Sequence, residues 1–187
     1  MPLHQIRLTT VIAAMVITLS LLLGGQYIYE KYILKQGLNQ KVSQIVKVDE
    51  IKIAKQEKPP VVYIRASQIK DLQVIYRRLE KTVKEQLGPE YQIVLLDRRT
   101  SKLQTLFEDC QFPIQEAIST GSFQEMYQTV SQKARYKNVN YKISVDSYNV
   151  YVQFRDEEGY LYEIIPRWPQ LAIGHEGLKK PEVEGLL

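Results

Sequence analysis

From Leu8 to Tyr29 the chain runs 22 residues without a charged side chain. No other feature limits the available folds as strongly. Its centre, Val11-Ile12-Ala13-Ala14-Met15-Val16-Ile17-Thr18-Leu19-Ser20-Leu21-Leu22-Leu23, is apolar on every helical face. As a helix it would extend about 33 Å, enough for a hydrocarbon core of about 30 Å. Tyr27, Tyr29 and Tyr32 follow where an interfacial aromatic belt would stand. A cleaved signal peptide needs small residues before its cut. The nearest candidate is Gly24-Gly25, which leaves Leu23 badly placed. The sequence therefore predicts a tail over 1–7 and a signal-anchor transmembrane helix over 8–30. The positive-inside rule, counted literally, would keep the C-terminal side in the cytoplasm, because Lys31, Lys35, Lys41 and Lys47 outnumber Arg7. Long C-terminal domains cross largely regardless of flanking charge, and a short tail with one Arg fits a signal anchor. The expected placement is thus a single pass through a cell membrane, with the domain extracytoplasmic, as in a bacterial-type envelope.

The formal net charge of +4 is uneven. Residues 1–60 carry eight Lys/Arg and four Asp/Glu, whereas residues 61–167 carry fifteen and fourteen. A nucleic-acid-binding domain concentrates cations on the domain itself, so no nucleic-acid partner is expected. Residues 31–60 hold seven Lys and no Arg and are expected to be a juxtamembrane linker. Its lysines would sit near anionic lipid head groups, a membrane-lipid partner. Within it Gly37 would cap the membrane helix. Leu38, Val42 and Ile45 keep helical spacing, and from Ile45 to Ile53 the pattern alternates as an extended segment would. Pro59-Pro60 marks the boundary.

The folded domain is expected over 61–167, of α/β to α+β class, with residues 168–187 as a loose tail. Val61–Arg65 reads as a strand. Ser67 would cap a helix carrying Ile69, Leu72, Ile75, Tyr76, Leu79, Val83 and Leu87, which Gly88-Pro89 ends. Tyr91–Leu96 reads as the second strand of a βαβ unit, with its two strands parallel. A helical middle follows. Thr100 or Ser101 starts it, Pro113 breaks or restarts it, and Gly121 stops it. Ser122 and Glu125 have the spacing of a capping box before Phe123, Met126, Tyr127, Val130 and Ala134.

Three alternating series then predict a three-stranded antiparallel meander: Tyr141/Ile143/Val145, Val150/Val152/Phe154 and Tyr160/Tyr162/Ile164. The turn at Asp156–Gly159 decides its register. A four-residue loop would set Arg155 opposite Tyr160 and Glu163 opposite Val152 in the core. A three-residue loop with a left-handed Gly159 would pair Gln153 with Glu163 on the polar face. One residue of slip inverts every side chain, and burying an unpaired Glu163 costs several kcal/mol. The expectation is therefore the three-residue loop with a G1 bulge.

No phosphate loop, nucleophile elbow or zinc-protease helix motif occurs. The only histidines are His4 and His175, outside 61–167, so a Ser–His or Cys–His pair inside the domain is excluded. Cys110 lies on an apolar helix face and reads as a small buried hydrophobe. Glu108-Asp109 and Asp156-Glu157-Glu158 lack the alternating oxygens of a cation loop. No cofactor, metal or catalytic residue is expected. Asp97, Arg98 and Arg99 stand just past the end of a parallel strand and before a helix start, where anions bind, with Asp97 orienting an arginine. Thirteen Tyr residues are present. Of these, Tyr148 and Tyr151 are expected to be exposed as an interface, because the core register uses the opposite face. The leading expectation is a non-catalytic interaction or assembly module, tethered to a membrane, that binds an unknown protein or itself. A tethered sensor of a small anionic ligand is the alternative, and a carboxylate-based enzyme a third.

Overall fold

A computed structural model describes the backbone of residues 3–28, 35–67 and 69–168, and the side chains of residues 10–25, 37–67 and 69–168. The architecture is α+β, with five helices and two three-stranded sheets among these residues. Helix α1 (Leu3–Ile28) covers the apolar run. Among the described residues, however, no helix is long and apolar enough to cross a membrane. This corrects the expected transmembrane helix over 8–30. The signal anchor, the single pass and the membrane localisation drawn from it fall with it. The expected tail beyond Trp168 lies outside the described residues.

The segment expected as a linker builds part of the body. Helix α2 (Lys35–Ile45) contains Gly37 in its first turn and buries Leu38 and Val42 completely. Their helical spacing is what places both on one face. Strand β1 (Glu50–Ala54) follows and pairs antiparallel with β2 (Val61–Arg65). Strand β2 pairs parallel with β3 (Gln92–Leu96) through helix α3 (Leu72–Leu87). The βαβ unit is therefore present, with an extra antiparallel edge. Ser67 does not cap α3. Asp71 does, accepting the Val74 amide at 3.0 Å, while Lys142 reaches its other oxygen at 2.8 Å.

Helix α4 (Ser101–Thr120) runs through Pro113 without a break. Proline removes the amide that would bond the carbonyl of Asp109, four residues back. The Lys133 ammonium of helix α5 (Phe123–Tyr136) donates to that carbonyl instead, at 2.9 Å. Thr100 caps the start, and Gly121, at φ +82°, closes the end in the left-handed region. At α5, Ser122 makes no side-chain cap bond. Its hydroxyl sits 2.6 Å from that of Thr120, and the expected capping box is absent.

Strands β4 (Asn140–Val145), β5 (Asn149–Arg155) and β6 (Tyr160–Pro166) form the meander in the order β4-β5-β6. Its register is the four-residue alternative: Arg155 faces Tyr160, Gln153 faces Tyr162 and Val152 faces Glu163. The three-residue loop with a left-handed Gly159 is overturned. Asp156 Oδ1 accepts the amides of Glu158 and Gly159 and holds the longer turn. Gly159 is needed for close approach: a Cβ there would overlap the Arg98 carbonyl oxygen. Arg98 and Tyr160 exchange two backbone hydrogen bonds at that point, joining the end of β3 to the start of β6.

The meander is buried on both faces. One face packs Val150, Val152, Phe154 and Leu161 against α4 and α5. The other packs Tyr151, Tyr160 and Tyr162 against α2, α3 and the first sheet.

Candidate functional site

Asp97, Arg98 and Arg99 are brought together, but as part of the scaffold. Asp97 is buried at the end of β3 and accepts the Tyr162 amide at 3.1 Å. Arg99 donates to both Asp97 oxygens, at 3.1 and 2.7 Å, to Glu163 at 2.6 Å and to Gln104 at 2.8 Å. Burial works against the Arg99 charge, yet Asp97 and then Glu163 hold its pKa above the ordinary value. This guanidinium explains the register. Glu163 does face the helices, as the discarded alternative required, but it is ion-paired there and half-buried. Desolvation disfavours a lone carboxylate, and a bonded partner removes most of that penalty. Arg99 is thereby engaged on three side chains, whereas Arg98 joins Tyr160 through its backbone and leaves its side chain exposed.

The two interface tyrosines separate. Tyr151 is 1% exposed, which overturns its expected exposure. Its ring meets Tyr76 edge-on at 6.0 Å, and its hydroxyl donates to Asp146 Oδ2 at 2.9 Å. Burial first, and then the Asp146 carboxylate, push its phenol up to about 12. Tyr148 is 51% exposed on the turn between β4 and β5.

Asp146 organises that turn. Its Oδ1 accepts the amides of Tyr148 and Asn149, each at 2.8 Å, and its backbone carbonyl accepts from the Arg167 guanidinium at 2.7 Å. Burial raises the Asp146 pKa, but the two amides and the Tyr151 hydroxyl bring it below the ordinary carboxylate value. Arg77 of α3 lies 3.5 Å from the same carboxylate and stacks over the Tyr148 ring at 5.4 Å. Trp168 is 54% exposed and donates its indole N–H to the Ser147 carbonyl at 3.0 Å. Two exposed aromatics and an arginine thus surround one braced turn. A groove of about 730 Å³ runs from Tyr148 and Pro166 along Arg77, Lys81 and Lys84 of α3. Sequence reasoning missed Arg77 and Trp168 as neighbours of Tyr148, because only the fold brings α3 and the end of β6 to that turn.

A second, larger groove of about 1070 Å³ opens between α4, α5, β4 and the β5–β6 turn. The Tyr127 and Tyr141 rings meet in it at 6.4 Å. Tyr127, Ser131 and Arg135 recur four residues apart on α5 and so share one face. The contact with Ser131, and then Arg135 and Tyr127, lower the Tyr141 phenol from its ordinary value, with burial acting the other way. The helical spacing of 127, 131 and 135 is the signal by which the sequence could have shown this stripe.

Cys110 is buried, and burial pushes its thiol up to about 11. Asp109 is ion-paired with Lys137 at 2.8 Å, and Glu108 accepts from Gln104. Among the described residues, no group of three His, Cys, Asp or Glu side chains is arranged to hold a metal. The side chains of His4 and His175 lie outside them. No protein-family model, no curated protein and no solved structure matches the chain.

Proposed function

We propose that this chain is a protein-interaction module, and that its contact surface is the turn bearing Tyr148 together with Arg77 and Trp168. The observation that supports this reading is the bracing of that surface. Tyr, Trp and Arg are the side chains that most often dominate binding energy at protein interfaces. Here each is partly exposed yet held: Tyr148 by its backbone amide to Asp146, Arg77 by its guanidinium beside the Asp146 carboxylate, Trp168 by its indole N–H to the Ser147 carbonyl. Contacts held in place before binding lose less entropy when a partner arrives. The alternative of an anionic ligand at Asp97-Arg98-Arg99 draws no support from the geometry, since Arg99 already holds two carboxylates.

The test is photocrosslinking in living cells from a photoreactive residue at position 148. A discrete adduct is expected, and Arg77→Ala or Trp168→Ala should abolish it. An adduct of twice the chain mass identifies self-association, and any other mass a different partner. A crosslinking profile indistinguishable from that of exposed Glu90 would overturn the reading.

A further inference from the structure

The groove between α4, α5, β4 and the β5–β6 turn carries charges that the described fold does not neutralise. Arg135 has no carboxylate partner among the described residues, and neither Glu157 nor Glu158 has a cationic one there. Asp156 is occupied by the Thr100 hydroxyl at 2.7 Å and by turn amides. Arg135 therefore supplies an open positive group on α5, and Glu157 and Glu158 supply open negative groups on the hairpin tip. Ser131, one turn back on the same helix face, is 6% exposed and does not itself line the groove. It lies against the Tyr141 phenol, which lines the groove. Guanidinium and phenol together are a donor pair suited to a carboxylate. The volume of about 1070 Å³ far exceeds one amino acid and suits a short peptide.

We propose that this groove is a peptide site. The free C-terminal carboxylate of a short segment sits on Arg135 and Tyr141, and a basic group of the same segment faces Glu157 and Glu158. The aromatic pair Tyr127 and Tyr141 offers its faces to the apolar part of the segment. The site is separate from the Tyr148 surface and does not rest on it.

The test is an amide-resolved NMR titration of the full chain with the tetrapeptide Lys-Gly-Ala-Phe, as the free acid and as its C-terminal amide. Saturable shifts are expected in α5, β4 and the 156–158 turn. The amide, or the free acid against Arg135→Ala, should bind about tenfold more weakly or worse, as loss of a charge-assisted pair implies. Glu157→Gln with Glu158→Gln should weaken binding about threefold, the share of a solvent-exposed charge pair. Tyr148→Ala should leave it unchanged, so failure here and failure of the interaction surface remain distinguishable. No saturable shift, equal binding of acid and amide, or an Arg135→Ala variant that binds normally would each overturn the proposal. Thermal melts of all variants matching the parent exclude misfolding as the cause.

Discussion

The two faces of the β4–β5–β6 meander are both buried, yet they are made of different chemistry. Against α4 and α5 stand Val150, Val152, Phe154 and Leu161. That face works by volume: apolar groups interlock and need no partners. Against the first sheet and α3 stand Tyr151, Gln153, Arg155, Tyr160 and Tyr162, and the polar ends of Gln153, Arg155 and Tyr162 reach the loop between β2 and α3. Gln153 donates to the Ile69 carbonyl at 2.6 Å, and Arg155 donates to the Ser67 carbonyl at 2.6 Å. Tyr162 receives the Ile69 amide at 3.4 Å. This second face is a glued joint between two halves of the fold. Alternation of apolar and polar residues says only that two faces differ. It does not say that the more polar one meets water.

Substitutions distinguish the two faces. Phe154→Ala removes the largest side chain of the apolar face and should cost about 4 kcal/mol in denaturant unfolding. A loss under about 1 kcal/mol would mean that face is loosely packed. Next, Arg99→Ala should cost about 2–3 kcal/mol by the same assay, since it leaves buried Asp97 and half-buried Glu163 without their cation. The figure is at the low end because Arg99 and Glu163 keep some contact with water. A neutral outcome would show that the ion pair is not what permits Glu163 on the helix side. Tyr162→Phe deletes only a hydroxyl with long hydrogen bonds and should cost about 1 kcal/mol. If it matched Phe154→Ala, the joint would be as demanding as the apolar face.

The smallest effect concerns the turn that carries Tyr148. The Asp146 pKa is lowered in the folded protein, so the stability it adds is complete above the unfolded carboxylate value of about 3.9. That contribution is lost as pH falls through the lower folded value. The denaturant midpoint of the parent should therefore fall more steeply below about pH 4 than that of Asp146→Asn. Identical acid slopes would show that the carboxylate does not brace the turn.

Much of the body was legible in the sequence. The βαβ unit, the cap at Thr100, the stop at Gly121 and the three meander strands all follow from local patterns. What was not legible depends on distant residues. Pro113 stays inside a helix because Lys133, twenty residues later, satisfies the carbonyl that proline leaves open. The hairpin register turned on one correct premise, that Glu163 cannot be buried alone. The premise misled because Arg99, on another element, ion-pairs with it. Leu38 and Val42 keep helical spacing in the Lys-rich segment, but only the packing of α2 and β1 on α3 and β2 makes them and Ile51 part of the core. Of the candidate sites, Tyr148 is exposed because it stands on the turn, although it shares the alternation phase of Val150 and Val152. Tyr151 has the phase of the outer face, and only the packing of α3 upon that face makes it interior.

Limited nitration of the native protein with peptide mapping reports whether the tyrosine face of the meander is an internal joint. Tyr127, Tyr136 and Tyr148, all about half or more exposed, should be modified first. Tyr151 and Tyr162 should stay unmodified until the protein unfolds. Nitration of Tyr151 and Tyr162 at the rate of Tyr148 would contradict the account.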